Sequence, residues 1–385
     1  MIRYRAIGSV YLPRKEDGMA DTKIRLGLIG ANIHRGWAPR SHLPALLASP
    51  EFELTAVCTT RMESAQESAQ LFNAKMAFDN YQEMINHPDI DAVAVVLKVP
   101  SHYEPTMAAL NAGKHVYTEW PLGQDTAQAI EMADLARSKG VVNMVGLQAR
   151  NSPALLHAKE LIENGYVGQV MSCKVSMIRG GILKRVFDRT WQRDVELGAN
   201  TLTIAFGHTV DAVRFVVGDF GSVSSVVSTQ AKQWTASDTG DVLDVTSPDN
   251  VMINGQLLNG GVASVHVATT PYAGAGLEME IYGNKGTLFA LSDDSPQLQE
   301  VKLKGAQESE TLHDIEIPSR HSNVLESMPN GEPYNVGQMY YKFGQAIKSG
   351  TNCEPNFDTA VELHKFLDNI RSSNTDGRRV EVSLS

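Results

Sequence analysis

Between Ile24 and about Asn164, short apolar runs alternate with longer amphipathic stretches, and this alternation constrains the fold more than any other feature. The apolar runs have the length of buried strands, while the stretches between them have apolar residues at helical spacing. Strands that alternate with helices form right-handed βαβ units on a parallel sheet. We therefore predict an α/β domain with strands at 24–29, 52–58, 91–97, 115–117 and 141–145, and helices near 39–49, 62–72, 103–111 and 126–139.

The pattern changes after about Gly168, where long β-type runs replace the alternation of strands and helices. The turn sequences at 259–261 and 283–286 both predict hairpins. This order predicts an α+β arrangement with a predominantly antiparallel sheet. The segment 235–250, dense in Asp, Ser, Thr and Gly, predicts a mobile loop. Strands are expected at 169–178, 223–229, 251–257, 262–268 and 277–282, and helices at 205–217, 336–348 and 358–371.

A glycine turn directly follows the first predicted strand. Residues 30–36 read Gly-Ala-Asn-Ile-His-Arg-Gly, and glycine permits a tight bend and a close backbone approach to a pyrophosphate. Asn32 stands where such turns have a second glycine, and asparagine tolerates left-handed backbone angles. We predict a dinucleotide-binding turn at Gly30, Asn32 and Ile33, with an ordinary strand–helix turn as the alternative.

The end of the second predicted strand distinguishes between cofactors. An acidic residue at this place binds the ribose 2′-hydroxyl of NAD, whereas a hydroxyl group and an arginine suit the 2′-phosphate of NADP. The chain has Thr59, Thr60 and Arg61 here. NADP is therefore the predicted cofactor, and NAD remains the alternative because Arg61 is equally suited to begin a solvated helix.

Composition excludes several classes of partner. The 385 residues include 34 Lys plus Arg and 44 Asp plus Glu, a formal net charge of −10, which disfavours nucleic acid and anionic membrane surfaces. No apolar run approaches the roughly 20 residues of a membrane span. The three cysteines, Cys58, Cys173 and Cys353, lie far apart, as in a protein of a reducing compartment. We predict a cytoplasmic protein without nucleic-acid or membrane partners.

Residues 1–19 differ in character from the rest of the chain. Arg3, Arg5, Arg14 and Lys15 are basic, but the apolar stretch of a secretory signal does not follow them. We interpret residues 1–19 as a leader or disordered extension. A mitochondrial presequence is the alternative.

Motifs along nearly the whole chain resemble those of one known family. They are residues 30–32, 35–38, 100–104, 112–121, 147–153 and 206–211. Over essentially residues 24–375 the chain resembles the glucose–fructose oxidoreductase / inositol dehydrogenase (Gfo/Idh/MocA) family, most of all its yeast galactose-regulon repressor-like subgroup. The resemblance implies an N-terminal Rossmann dinucleotide-binding domain at 20–150 and a C-terminal α+β substrate domain at 151–385. The resemblance also implies that the open, predominantly antiparallel sheet of this domain is covered by a second copy in a homodimer or higher homo-oligomer.

The resemblance also implies two candidate functions. The first is an NAD(P)-dependent oxidoreductase that transfers a hydride between nicotinamide and a small-molecule sugar, polyol or similar cyclic hydroxyl or carbonyl compound. The second is a catalytically silent dinucleotide-binding regulator that acts through a protein partner. Two departures bear on this choice: Trp120 replaces the lysine of the family's Glu-Lys-Pro motif, and Ile204 replaces an aspartate four residues before His208. Neither side chain can exchange a proton.

Candidate site residues follow from the same resemblance. His208 is the candidate general acid or base, since histidine exchanges protons around neutrality. Trp120 is a candidate for stacking on the nicotinamide or the substrate, and Arg150 for contacting an oxygenated substrate. Packing or solvated positions are the alternatives for these residues. The predicted cofactor contacts at the later strand ends are Pro100, His102, Glu119, Trp120 and Gln148. Without an HExxH motif or a Cys/His cluster, no metal site is predicted.

Overall fold

The computed structural model describes residues 23–382, so the predicted leader at 1–19 lies outside the described residues. Its first half is a six-stranded parallel sheet in the order β3-β2-β1-β4-β5-β6. The strands are β1 (Ile24–Ile29), β2 (Phe52–Cys58), β3 (Met76–Phe78), β4 (Ala92–Val95), β5 (His115–Glu119) and β6 (Asn143–Gly146). The helices are α1 (His42–Leu47), α2 (Met62–Phe72), α3 (Tyr81–Asn86), α4 (Tyr103–Asn111) and α5 (Thr126–Lys139).

Local sequence explains these elements. Strand β4 is an Ala-Val-Ala-Val run in which every residue is buried, as expected for a sheet covered on both faces. Helix α5 begins after Asp125, whose side chain accepts a hydrogen bond from the amide of Gln128, and it ends at Gly140 in the left-handed conformation. The predicted α/β half is confirmed. Its first helix is shorter than predicted, because residues 31–41 form a loop and α1 begins only at His42.

The second half is built on a nine-stranded sheet in the order β17-β16-β15-β14-β7-β13-β12-β9-β18. Only β7 and β13 run parallel among its described pairs, so the predicted predominantly antiparallel sheet is confirmed. Its strands are β7 (Val170–Arg179), β9 (Phe220–Ser228), β12 (Asn250–Leu257), β13 (Val262–Thr269), β14 (Gly276–Gly283), β15 (Gly286–Ser292), β16 (Lys302–Gln307), β17 (His313–Ile315) and β18 (Val380–Glu381). The helices are α6 (Pro153–Glu163), α7 (Gly207–Val217), α8 (Glu332–Ser349) and α9 (Phe357–Asp376).

A small three-stranded sheet replaces part of the predicted loop at 235–250. It consists of β8 (Lys184–Arg185), β10 (Gln233–Ala236) and β11 (Val242–Asp244). The side chain of Trp234 is buried in a small apolar cluster with Ile182 and Val245, and this cluster holds the polar segment in place. The composition of the segment is that of a loop, but one buried tryptophan beside it organises two strands.

The large sheet has one covered and one open face. Helices α6, α7 and α9 pack on the covered face, where Val175, Val265 and Met279 belong to the main core. On the open face, alternate residues are exposed, and two of them, Met252 and Val226, lie opposite each other across the β9–β12 pair.

Helix α8 follows the large sheet in sequence but packs against the parallel sheet. Tyr340 and Phe343 lie in one buried cluster with Leu26 and Phe52, and the Tyr340 ring lies 5.4 Å from that of Phe52. The division into domains at 150/151 stays a prediction, and the structure adds that α8 completes the core of the first half.

Among the helices of residues 23–382, none combines the length and the apolar character needed to cross a membrane.

Candidate dinucleotide and substrate site

The glycine turn lies where the strand order of the parallel sheet reverses, between β1 and β4. Open α/β sheets bind ligands at this point, beyond the carboxyl ends of their strands. Gly30 has φ +95°, and a Cβ atom there would lie 2.1 Å from the carbonyl oxygen of Val96, so only glycine fits. The side chain of Asn32 accepts a hydrogen bond of 2.9 Å from the amide of His34 and so stabilises the turn, next to Ile33.

The three residues predicted to select the cofactor differ in solvent exposure. Thr59 is buried, and its hydroxyl group contacts Ser64 Oγ at 2.6 Å and the Arg61 carbonyl oxygen at 2.8 Å. Thr60 and Arg61 are exposed at the edge of the crevice. The Thr59 hydroxyl group therefore shapes the turn before α2, while the side chains of Thr60 and Arg61 face solvent.

After β4, Pro100 is half-buried in a short turn and His102 is buried. His102 Nδ1 lies 2.8 Å from the carbonyl oxygen of Pro121, and its Nε2 lies 3.0 Å from that of Leu97. Burial lowers the pKa of His102. A neutral imidazole carries one N–H, so one nitrogen donates to a backbone carbonyl oxygen, and His102 packs between the turn after β4 and the turn after β5.

Glu119, at the end of β5, is the centre of a buried polar network. Its carboxylate receives Gln148 Nε2 at 2.9 Å on both oxygens and lies 2.8 Å from His42 Nε2. His42 Nδ1 in turn lies 2.7 Å from the hydroxyl group of Tyr340. Gln148 Oε1 and the hydroxyl group of Tyr117 are buried without a hydrogen-bond partner.

Sequence reasoning missed His42 and Tyr340 as members of this site. They are 298 residues apart, and neither belongs to a motif that suggests a contact. Nothing in the local pattern of a single sequence would have joined them.

Trp120 is packed between the two halves of the molecule. It is 4% exposed, its Nε1 donates to the carbonyl oxygen of Thr203 over 2.8 Å, and its ring lies 4.7 Å from that of His364. A Cβ atom on Gly207 would lie 2.7 Å from Trp120 Nε1, so the glycine before His208 is needed for this packing. The peptide bond between Trp120 and Pro121 is cis.

His208 begins the first turn of α7 beside this contact. Burial lowers its pKa to about 4, although the charges of Glu119 and Asp211 oppose the shift, and its Nδ1 is buried without a partner. The neutral imidazole is therefore the dominant form at pH 7. Ile204 lies in the π-helical turn Thr201–Phe206, which the Asn200 side chain caps.

Arg150 is held by Asp211, another residue that sequence reasoning missed. Its Nε and one terminal nitrogen lie 2.9 and 2.7 Å from the two carboxylate oxygens of Asp211, which is fully buried. Such a bidentate pair has little freedom to bind a substrate. Asp211 lies three residues after His208 and belongs to the family-like motif at 207–211. That motif was the one sequence signal that could have identified Asp211 as a site residue.

A nicotinamide dinucleotide fits the residues that are present. At Gly30 the backbone packs directly against the Val96 carbonyl oxygen at a positive φ, which is the tight glycine turn that dinucleotide-binding strand–helix turns use. At the other end of the crevice, Gln148 Oε1 is a buried acceptor without a donor, as the carboxamide of a nicotinamide requires. Gly30, Asn32, Thr60, Arg61, Glu119 and Gln148 are therefore the residues that would hold the group.

The fold and the crevice define a class of dinucleotide-binding protein in which a parallel sheet is followed by a large, mostly antiparallel sheet. Residues 24–147 match the oxidoreductase family with an NAD-binding Rossmann fold (GFO_IDH_MocA), and residues 153–291 match the C-terminal domain of Gal80p. The chain belongs to the Gfo/Idh/MocA family, and its second half is similar to the C-terminal domain of Gal80p. The resemblance seen in the sequence is confirmed.

Relatives of both functional kinds are found. The dehydrogenase aclE of Aspergillus oryzae is 31% identical, over 69% of this chain and 76% of that protein. The galactose/lactose metabolism regulatory protein GAL80 of Saccharomyces cerevisiae is 30% identical over 69% of this chain. The match spans 66% of the regulator, just under two thirds of its length.

Solved structures agree in fold. A super-repressor mutant of Gal80p from Saccharomyces cerevisiae superposes with a TM-score of 0.84 at 25% identity, over 94% of this chain and 98% of that one. Levoglucosan dehydrogenase in complex with NADH and L-sorbose superposes with a TM-score of 0.82 at 24% identity, over 94% of this chain and 99% of that one. The second likeness shows the fold alone.

Proposed function

We propose that this protein is an NAD(P)-dependent oxidoreductase that transfers a hydride between nicotinamide and a sugar, polyol or similar cyclic hydroxyl or carbonyl compound. One observation carries the proposal: Gln148 Oε1 and His208 Nδ1, one from each half of the molecule, are buried polar atoms without partners. Such groups are costly unless a ligand satisfies them. A carboxamide would satisfy the first and a substrate hydroxyl group the second.

The bound dinucleotide supplies the carbon that accepts or donates the hydride. His208 manages the proton that accompanies it. Because burial lowers its pKa to about 4, the imidazole is neutral near pH 7 and has a lone pair for the hydroxyl proton of an alcohol substrate. As the carbon loses its hydride and the carbonyl group forms, the imidazole takes this proton; in the reverse direction it returns it. The carboxylates of Glu119 and Asp211 favour the transient imidazolium.

The buried network around Glu119 has a positioning role. His42 and Tyr340 fix one carboxylate oxygen, and Gln148 contacts both. With its Nε2 held in this way, Gln148 presents Oε1 in one orientation only. The names of relatives such as levoglucosan dehydrogenase and 1,5-anhydro-D-fructose reductase support a sugar-like substrate.

A substrate panel tests the proposed activity. Sugars, polyols, anhydrosugars and cyclic ketones are incubated with each dinucleotide, and nicotinamide absorbance is followed in the wild type and in His208→Asn. Turnover in the wild type that falls in the variant supports the proposal. Dinucleotide binding without turnover on any compound would favour the regulator described below.

NADP is the proposed cofactor, because Thr60 and Arg61 lie exposed at the crevice edge and no acid follows β2. Calorimetric titration with NADP and NAD tests this preference. We expect Arg61→Ala to weaken NADP binding and to leave NAD binding unchanged. Arg371→Ala changes a partly exposed arginine on α9 that pairs with Asp368, and it should change neither. Tighter binding of NAD by the wild type would refute the preference.

The second candidate is a dinucleotide-binding regulator that acts through a protein partner. The observation in its favour is that Trp120, at the position of the family's lysine, is packed against Thr203 and His364, and that Arg150 is held by Asp211. This reading predicts dinucleotide-dependent retention of a protein partner and no turnover. Retention that is independent of the dinucleotide would count against it.

We further propose that the chain acts in the cytoplasm without nucleic acid and forms a homodimer or higher homo-oligomer; the open face of the large sheet supports the self-association. Met252, Val226 and Val262 are exposed on a surface of paired strands, which a second copy would cover. Sedimentation at micromolar concentration should show a species of at least twice the 42.0 kDa chain mass. A change of Met252 to Arg should dissociate it, and a monomeric wild type would refute self-association.

A further inference from the structure

Three side chains suited to metal binding converge at a place far from the glycine turn. His157 and Glu160 lie three residues apart on α6 and therefore share one helix face. His321 comes from the short turn Ser319–His321 before α8. One potential ligand atom from each residue lies within 4.8 Å of the other two. Spacing in sequence could not reveal this group, because His321 is 161 residues from Glu160.

The hydrogen bonding of this group is crowded on one atom. His157 Nδ1 at 3.0 Å, His321 Nε2 at 3.1 Å and a guanidinium nitrogen of Arg320 all point to Glu160 Oε2. A carboxylate oxygen has two lone pairs, so three donors exceed its capacity. Glu160 Oε1 accepts no hydrogen bond from the described residues. The three side chains thus hold their potential ligand atoms within 4.8 Å of one another, around one carboxylate oxygen.

The spacing suits a small divalent cation. In a tetrahedral zinc site with bonds of about 2.0–2.1 Å, neighbouring ligand atoms lie roughly 3.3 Å apart. The two nitrogen–oxygen distances here are 3.0 and 3.1 Å, so a slight expansion accommodates the ion. Both imidazoles are largely buried and the carboxylate is one-third exposed, which leaves an approach from solvent.

We propose that His157, Glu160 and His321 form a zinc-binding site, with Nδ1, a carboxylate oxygen and Nε2 as the ligands and water in the fourth position. Two imidazoles and one carboxylate are ligands that Zn²⁺ prefers. Arg320, more than half exposed, competes with the ion for Glu160.

The ion would join two parts of the chain that meet near the junction of the halves. Helix α6 packs on the large sheet, and the Ser319–His321 turn leads into α8, which carries Tyr340 to the buried network of Glu119. An ion that joins this turn to α6 would stabilise the segment that connects the large sheet to α8. The inference departs from the absence of a metal site predicted from the sequence, and it is independent of the proposed activity.

Metal binding is measured directly on the full-length protein. The chain is stripped with a chelator and titrated with Zn²⁺ by calorimetry and with Co²⁺ by visible absorption. We expect about one ion per chain, a rise in melting temperature that the chelator reverses, and a Co²⁺ spectrum typical of nitrogen and oxygen ligands. His157→Ala and His321→Ala should each weaken Zn²⁺ binding at least tenfold, by loss of a ligand.

Two further variants separate a built site from general histidine binding. His87→Ala removes a surface histidine that lies 4.0 Å from the carboxylate of Asp89, a pair with no second imidazole, and should leave Zn²⁺ binding unchanged. Arg320→Gln removes the competing charge from an exposed side chain and should tighten Zn²⁺ binding. Zn²⁺ affinity that is equal in the wild type and His321→Ala, or that is not raised in Arg320→Gln, would overturn the proposal, whether or not the protein proves to be an oxidoreductase.

Discussion

The indole nitrogen of Trp120 donates a 2.8 Å hydrogen bond to the carbonyl oxygen of Thr203, and this bond joins the parallel-sheet half to the turn that precedes His208. The change Trp120→Phe removes the donor and leaves the buried carbonyl group unsatisfied. We expect it to lower the free energy of unfolding by about 1–3 kcal/mol, measured by urea denaturation. Turnover per folded molecule should stay within a few fold. Unchanged stability with abolished turnover would place Trp120 against the substrate instead.

His208 should control turnover without controlling cofactor affinity. The variants His208→Ala and His208→Asn remove the group that exchanges the substrate proton, and we expect at least a hundredfold loss of rate. Because its pKa is lowered to about 4, the wild-type rate should be level between about pH 6 and 8 and fall only in more acidic solution. The measurement is single-turnover absorbance across pH. A transition near neutrality would contradict a buried neutral imidazole.

His364, which packs on the ring of Trp120, should make stability depend on pH. Burial lowers its pKa from 6.5 to about 4, and its Nε2 is buried without a partner. The unfolded chain therefore binds more protons than the folded one between these values, and stability falls as pH falls through that window. At pH 5 the loss is about 2 kcal/mol by linkage. We expect His364→Phe to reduce the pH dependence in urea denaturation by this amount. An equally steep dependence in the variant would show that other groups cause it.

The contribution of the Arg150–Asp211 pair to stability can be tested by comparing removal of one charge with removal of both. Arg150→Ala leaves the fully buried carboxylate of Asp211 unpaired and should cost about 3–5 kcal/mol. Arg150→Met with Asp211→Leu removes both charges and should recover most of the loss in chemical denaturation. If Arg150→Ala is stable but raises KM sharply, the arginine serves the substrate rather than the core.

Gly30 and Gly36 provide a matched pair for the cofactor turn. Both have positive φ, +95° and +94°, but a Cβ atom meets the Val96 carbonyl oxygen only at Gly30, while Gly36 has open space around it. Gly30→Ala should lower dinucleotide affinity at least tenfold in calorimetry. Gly36→Ala carries the same backbone strain of about 1 kcal/mol and should retain binding. Equal losses in both variants would assign the effect to strain alone.

The sequence was sufficient for much of the fold. Helix α5 was predicted with its observed bounds of 126–139, because Gly140 marks its end in the sequence. The glycine turn follows β1 and Glu119 ends β5, as the sequence placed them, while their roles toward a cofactor stay predictions. Contacts between distant residues were not accessible: the partners of Glu119 and Arg150, and the burial of Trp120, depend on side chains that tertiary packing brings together.

The return of α8 to the first half has a consequence for modularity. Tyr340 and Phe343 fill the same apolar cluster as Leu26 and Phe52, so a fragment that ends at residue 150 would expose the surface that α8 covers. Such a fragment lacks part of its own core and would aggregate or bind a foreign helix. Exchange of the nucleotide-binding segment between relatives must therefore carry α8 along with it. In this molecule the unit that can be inherited or transplanted is discontinuous in sequence.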